Sequence, residues 1–369
     1  MRKSAPDLFL TGLFLAIILS VPVIQTVADI ERGNRPAVLE LFTERPSAKS
    51  LRAFDESVEE ESIVVRTLRP VAQAAQFLIL NDAGSKALAA RGGWLFYEPG
   101  ISAITQRPRS GESTVDDALS AVTHFRDALR ERGIRLVVVP APNKESIYPD
   151  RVTGRAAPPT RILNPETEKF FIGCESAGVE TVDLFALFRE ARQATTESLY
   201  LEQDSHWSPA GLQLAASAVA ERIERRRPSP YVAKRRSIER HGDLIQMMRS
   251  PQIETRVSPE AISCAQIVRR ETGELYSDDP ASDVLVLGDS FLRIFQQDEP
   301  GSAGFIAQLA AALGRPVKSL VNDGGASTLV RQELFRRPRL LEGTKVVVWE
   351  FVERDLRLGT EGWQIVPLP

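Results

Sequence analysis

Metal chelation is hard to assemble from this sequence. Its 369 residues include only two cysteines and three histidines, and no CxxC, HExxH or Cys/His cluster occurs, so a zinc site is not expected. An excess of one charge is lacking too. The 46 Lys and Arg nearly balance 49 Asp and Glu, which leaves no global positive field for nucleic acid. No internal repeat or low-complexity tract is evident. At 43% hydrophobic and this length, the chain is neither a disordered polymer nor a disulfide-stapled miniprotein. It has room for one large α/β domain plus an appendage.

One segment lacks charge altogether. Leu8–Ala28 (LFLTGLFLAIILSVPVIQTVA) follows Arg2 and Lys3 and precedes Asp29, Glu31 and Arg32. A single span needs ~20 mainly apolar residues, so this run can cross a bilayer once, with Pro22 tolerated inside it. The leading positive residues favour a cytoplasmic N-terminus and put the rest of the chain outside the cytoplasm. The rival reading is a cleavable signal with Thr26-Val27-Ala28 at its cleavage site. Signal cores run ~7–15 residues, which favours a retained anchor. In an oxidising compartment Cys174 and Cys264 can pair or remain two buried thiols, and the sequence leaves both open.

Residues 30–90 are charged and read as a mostly helical stem, punctuated by Arg35-Pro36, Arg45-Pro46 and Arg69-Pro70. The pattern changes at Arg91. Gly92-Gly93 turns into an aromatic strand, Trp94-Leu95-Phe96-Tyr97. Ser113 or Thr114 can cap a helix whose apolar positions run Val115, Ala118, Leu119, Val122, Phe125 and Leu129 and which stops at Gly133. Leu136–Val139 reads as a strand buried on both faces, and similar runs occur at Val179–Leu184, Val284–Leu287, Val317–Val321 and Val346–Phe351. Helical stretches such as Leu212–Ile223 and Phe305–Leu313 separate most of them. Alternation of this kind implies a parallel sheet covered on both sides. Residues 228–280 have no strand–helix rhythm and look like an insertion.

Ligands of open parallel sheets bind beyond the carboxyl ends of the strands. After Val284–Leu287 comes Gly288-Asp289-Ser290-Phe291, which places a serine on a strand-to-helix turn. Backbone N–H groups there can stabilise an oxyanion, although an ordinary capping turn would look the same. The serine needs a base. His124 falls on the polar face of its helix, and His241 sits in the irregular stretch with nothing to orient it. His206 lies in Asp204-Ser205-His206-Trp207-Ser208-Pro209, just before a helix start set by Ser208 and Pro209. Asp204 can aim its carboxylate at one imidazole nitrogen and leave the other for a nucleophile, the tautomer control a serine triad requires.

Asp204-Ser205-His206-Trp207, followed far downstream by Gly288-Asp289-Ser290-Phe291, resembles the AlgX/AlgJ family of SGNH-like polysaccharide O-acetyltransferases. Gly93–Tyr97, Val139–Glu145 with Tyr148-Pro149, Gly242-Asp243-Leu244 and Val348–Phe351 fit the same family, in order, over roughly residues 90–355. The resemblance implies an SGNH-like three-layer αβα sandwich with a central parallel sheet and a rearranged topology in which Asp-x-His precedes Ser. It is closest to the membrane-anchored AlgJ-like branch. The chain then divides into a signal anchor at 1–29, a helical stem at 30–90 and a catalytic domain at 91–369 that carries the 228–280 insertion.

The resemblance assigns Ser290 as nucleophile, His206 as general base and Asp204 as its orienting acid, with no metal or cofactor. The Ser290 N–H would be one oxyanion donor. Asn322, Gly324 and Gly325, in the turn after Val317–Val321, are candidates for a second. Trp207 offers a face to a sugar ring, and Glu350 and Arg354 end another strand near the acceptor. Each of these has a plainer reading as loop, packing or ion pair. The basic clusters Arg225–Arg227 and Lys234–Arg236 read as a solvated helix end and loop.

The implied function is an O-acetyltransferase acting on an extracellular polysaccharide, held through residues 8–28 in a bacterial inner membrane with its catalytic domain in the periplasm. Acetyl groups would come from a polytopic membrane O-acyltransferase. An esterase using the same triad, or a non-catalytic polysaccharide-binding scaffold, are the alternatives. No nucleic-acid partner is expected.

Overall fold

The computed structural model describes residues 5–33, 36, 62–106, 113–224, 228–359 and 361–368. Arg45-Pro46, much of the expected stem and Arg225–Arg227 lie outside the described residues. The chain divides into two compact units, Met1–Gly84 with Met248–Val257, and Ser85–Met247 with Ser258–Pro369.

The smaller unit holds helix α1, Ala5–Glu31, over the uncharged run, and helix α2, Ile63–Leu80. Both are long and apolar enough to cross a membrane by length and composition. Ser62 caps the start of α2, and Asn81 ends it in the left-handed region at φ 55°.

The larger unit begins with a short antiparallel pair, β1 (Ala87–Ala89) and β2 (Leu95–Tyr97). Helix α3, Val115–Glu131, starts at a capping box in which Thr114 and Asp117 bond each other's backbone N–H groups. The succession continues with β3 (Arg135–Ala141), α4 (Pro165–Ser176), β4 (Glu180–Thr181), α5 (Leu184–Ala194) and α6 (Pro209–Ile223). The α6 cap is Ser208, whose side chain accepts from the Gly211 N–H.

Within residues 228–280, where the sequence showed no rhythm, β5 (Tyr231–Arg240) and β6 (Glu260–Arg269) pair as a long antiparallel ribbon. Most of β5 between Val232 and Ser237 is exposed, so the usual apolar alternation is missing. Lys234–Arg236 therefore lie on a strand, not in a loop. Further along come β7 (Val284–Gly288), α7 (Ser290–Arg293), α8 (Phe305–Leu313), β8 (Lys318–Val321), α9 (Leu329–Arg336) and β9 (Val346–Val352).

Five strands make one fully parallel sheet in the order β4-β3-β9-β7-β8. The Val179–Leu184 run contributes only the two-residue edge strand β4. Alternate residues face opposite ways. Val137, Val139, Val284, Val286 and Val348 join α5, α6 and α8 in one core, whereas Leu136, Val138, Leu285, Leu287 and Val347 join α3, α4 and α9 in the other. That is a three-layer αβα sandwich. Cys174 and Cys264 fall in different cores and are free thiols, so the pairing left open by the sequence is not made. The carboxyl ends of β3, β9 and β7 lie side by side, and the connections diverge there. Such a switch point is where an open α/β sheet presents its site.

Candidate active site

Ser290 is positioned by the end of β7. A Cβ on Gly288 would come within 2.4 Å of Glu350 Oε2 and 2.6 Å of a Leu292 methyl, so a larger residue here would have to displace them. Asp289 then caps the single helical turn α7, its Oδ1 accepting from the Phe291 N–H at 2.9 Å. The half-buried Ser290 begins that turn.

The histidine comes from outside the sheet. An antiparallel bridge between Tyr200 and Trp207 closes the loop ahead of α6. Within it, Asp204 Oδ1 accepts from the His206 backbone N–H at 3.0 Å and lies 2.6 Å from His206 Nδ1. His206 Nε2 lies 2.8 Å from Ser290 Oγ. With the carboxylate on Nδ1, that nitrogen carries the proton and Nε2 is free to accept one from the serine. Asp204, His206 and Ser290 are thus brought into one hydrogen-bonded line.

Three neighbours with no role in the sequence reading hold this line. Asp243 donates its backbone N–H to Asp204 Oδ2 at 3.0 Å, and its carboxylate accepts from the Ser205 N–H and hydroxyl at 2.7 and 2.6 Å. A Cβ on Gly242 would meet Gln203 O at 2.1 Å, so the glycine permits this approach. Arg240 reaches Asp204 Oδ2 at 3.4 Å. Lys144, 2% exposed, donates to the carbonyls of Leu95, Glu202 and Asp204 at 2.6, 2.9 and 3.0 Å. Its Nζ also sits 4.9 Å over the rings of Trp94 and Phe96. Burial pushes the Lys144 ammonium down to about 8, against the pull of Asp204 and Glu260. Asp243 and Lys144 fell in stretches that carried the family resemblance, and that was the only signal pointing to them.

Burial opposes charge on both members of the Asp204–His206 pair. For Asp204 it is outweighed by His206, Arg240 and the Asp243 N–H, which hold its carboxyl well below the usual range. For His206 it is outweighed by Asp204, then by Asp243 and Asp289, and the imidazole is lifted above its ordinary value. Among the described residues, Asp204, His206 and Asp243 are the one group whose ligand atoms could share a metal, all within 4.8 Å. Those atoms are already engaged with Ser205, with one another or with Ser290.

An open cleft of about 320 Å³ borders His206, lined also by Arg240, Asp243, Gln246, Arg293 and Asp298. Several expected substrate contacts fall elsewhere. Trp207 is fully buried, donates to Phe291 O and stacks on Phe305, so it offers no face to a sugar. Glu350 is likewise fully buried, with Oε2 accepting from the Asp289 N–H at 3.3 Å. It supports the serine turn and cannot reach an acceptor. No direct ion pair joins it to Arg354 among the described residues. Arg354 is half-buried, its guanidinium over the rings of Tyr97 and Phe291.

The 322–325 turn does lie beside the serine turn, since the Asn322 N–H donates to Gly288 O at 3.0 Å. The Gly325 N–H is used within the turn, on Asn322 O, and the Asn322 side chain bonds Glu333. Gly324 is exposed at φ +67°. As expected, His124 is exposed, and His241 stands half-buried apart from the line.

A parallel αβα sandwich with this line at its carboxyl edge is of the SGNH-like class. The chain belongs to the family described as SGNH hydrolase-like domain, acetyltransferase AlgX, whose model matches residues 87–353. It is 23% identical over 321 residues to a probable alginate O-acetylase AlgJ of Pseudomonas syringae pv. tomato, covering 84% of this chain and 79% of that protein. A Pseudomonas putida protein of the same description is 24% identical over 322 residues, covering 84% and 80%. The fold is similar to that of the O-acetyltransferase domain of Pseudomonas putida AlgJ, at TM-score 0.58 and 22% identity over 73% of this chain and 91% of that one. It is also similar to Pseudomonas aeruginosa AlgX, at TM-score 0.54 and 17% identity over 72% and 61%.

Proposed function

We propose that this chain is an exported, membrane-tethered O-acetyltransferase that carries acetyl groups through Ser290 to hydroxyls of a polysaccharide. The observation that carries the proposal is the line from Asp204 through His206 to Ser290, with contacts of 2.6 and 2.8 Å. Ser290 Oγ attacks the carbonyl of an acetyl ester or thioester while its proton passes to His206 Nε2. The bond to the donor's leaving group breaks, and that group takes the proton from Nε2. A sugar hydroxyl then gives its proton to Nε2 and attacks the acetyl-serine. The bond between the acetyl carbonyl carbon and Ser290 Oγ breaks, and the proton on Nε2 returns to Oγ. Asp204 keeps the imidazole in its tautomer and stabilises the imidazolium in both halves. The Ser290 N–H faces the developing oxyanion, and Gly324 is the remaining candidate in the 322–325 turn for a second donor. Arg354, whose guanidinium lies over Phe291, is our candidate contact for the acceptor.

The relatives named as alginate O-acetylases support a glycan acceptor of that kind. The uncharged helix α1 supports a single-pass anchor with the site on the outer side of the membrane. Since acetyl-CoA is cytoplasmic, the acetyl group must reach the site through a polytopic membrane acyltransferase.

The protein supplied with an aryl acetate and candidate glycans, followed by product mass, tests the reading. Acetate is expected on the sugar, and acetate released only to water would make the enzyme an esterase. Ser290→Ala is expected to abolish both outcomes, so full activity in that variant overturns the nucleophile assignment.

A further inference from the structure

Helix α2 carries more apolar surface than its own unit buries. At 100° per residue, Ile63, Pro70, Ala74 and Phe77 form one stripe, buried or half-buried. Arg66, Arg69, Gln73 and Gln76 form a polar stripe beside it. Leu68, Val71, Ala72, Ala75, Leu78 and Ile79 follow i, i+3, i+4, i+7, i+10 and i+11 along a third arc, and that arc is exposed. Leu68, Val71 and Ile79 are 59, 53 and 78% accessible. A contiguous apolar arc open to water marks an interaction surface.

Two contacts indicate what covers it. The Ile63 N–H donates to Gln25 Oε1 at 2.8 Å, and Gln25 Nε2 donates to Asp29 at 2.8 Å. Asp29 is the first charge after the uncharged run, so α2 starts about one turn before that charge. Halfway along, the Ser250 hydroxyl donates to Pro70 O at 2.8 Å. Ser250 belongs to Met248–Val257, which also exposes Arg249, Glu254 and Arg256. Charges of this kind do not enter hydrocarbon readily. Were α2 to cross the bilayer, it would draw them in. At ~1.5 Å per residue its 18 capped residues also give ~27 Å, short of the ~30 Å core.

We propose that α2 lies flat in the outer membrane–water interface. Its exposed arc sits among lipid acyl chains, and Met248–Val257 rests on its aqueous side. The inference rests on α1 being an anchor.

Spin labels on single introduced cysteines test it, in the full chain reconstituted into vesicles of phosphatidylcholine and phosphatidylglycerol. Cys174 and Cys264 can stay, because burial pushes their thiols up to about 12 and about 11. Labels at Leu68→Cys, Val71→Cys and Ile79→Cys should collide with oxygen at shallow depth. Gln76→Cys should favour a water-soluble nickel chelate, and Leu13→Cys on α1 should lie deep. Nickel access at every α2 position with Leu13→Cys deep would overturn the interfacial helix alone. Depth increasing along α2 with oxygen access all round would make it a second span. Arc labels shielded from both reagents would put a protein there instead of lipid. Nickel access at Leu13→Cys would overturn the anchor and this inference together.

Discussion

Two carboxylates serve the Ser290 turn from different directions, and both Asp204 and Glu350 are fully buried. Asp204 accepts from the His206 N–H, from His206 Nδ1 and from the Asp243 N–H, with Arg240 at 3.4 Å. Among the described residues, Glu350 accepts from one backbone N–H at 3.3 Å, and its Oε1 has no partner. Burial pushes the Glu350 carboxyl well above its usual range, and the nearby Asp289 pushes the same way. Asp204 moves in the other direction. Equal burial therefore goes with opposite shifts, toward the anion at Asp204 and toward the neutral acid at Glu350. The neighbouring charges decide the direction, His206 and Arg240 beside Asp204 against Asp289 beside Glu350, with the donors adding to it. Asp204 meets His206, and Glu350 meets the backbone of the turn that carries Ser290.

Neutralising Asp204 should break this contrast most severely. Asp204→Asn keeps the shape but cannot stabilise the imidazolium and permits the wrong histidine tautomer. We expect kcat for acetyl transfer to fall about a thousandfold or more, with the fold intact by circular dichroism. A loss under tenfold would mean that His206 does not act through Asp204.

Stability should respond next. Burial raises Glu145 and Asp355 to about 7, and Glu350, Glu353 and Asp289 also shift upward. A carboxyl raised on folding contributes stability fully present below its unfolded value, ~4. That contribution is lost as pH rises through the folded value. Asp204 has the opposite sign and matters only in stronger acid. Thermal unfolding should therefore give a Tm about 5 °C or more higher at pH 5 than at pH 8. A Tm rising over that interval would show these acids to be ionised in the fold. Glu350→Gln, a neutral isostere that still accepts from Asp289, should narrow the difference by raising Tm at pH 8 only.

The elements that hold these groups were legible to different degrees. Thr114, Ser208 and Gly133 mark helix ends through local chemistry, and α3 and α6 follow. Valine-rich runs announce β3, β7 and β9 because both their faces are buried. The ribbon β5–β6 was hidden, since Lys234–Arg236 face solvent on a strand whose partner lies some 30 residues further on. Trp207 and Glu350 were misplaced for a related reason. Exposure is a tertiary property, and a residue at a strand or helix end can point either way. Asp204, His206 and Ser290 could be read because each sits in a motif with its own turn chemistry. Asp243 has no such local pattern.

Asp243 gives the finest test of the comparison, since it acts on Asp204 and His206 together. Its Oδ2 lies 3.6 Å from His206 Nδ1, and its charge helps to lift the imidazole. A base with a raised pKa is protonated, and idle, up to a higher pH, so the acid limb of kcat/KM is shifted upward. Asp243→Asn removes that charge, while its backbone N–H still serves Asp204 and its amide oxygen still accepts from Ser205. The acid limb should move to lower pH, with the plateau rate changed by less than about tenfold. Burial raises the Asp243 carboxyl itself, ahead of the push from Asp204. An acid limb that stays in place would mean that Asp243 is protonated beside His206 and acts through hydrogen bonds alone.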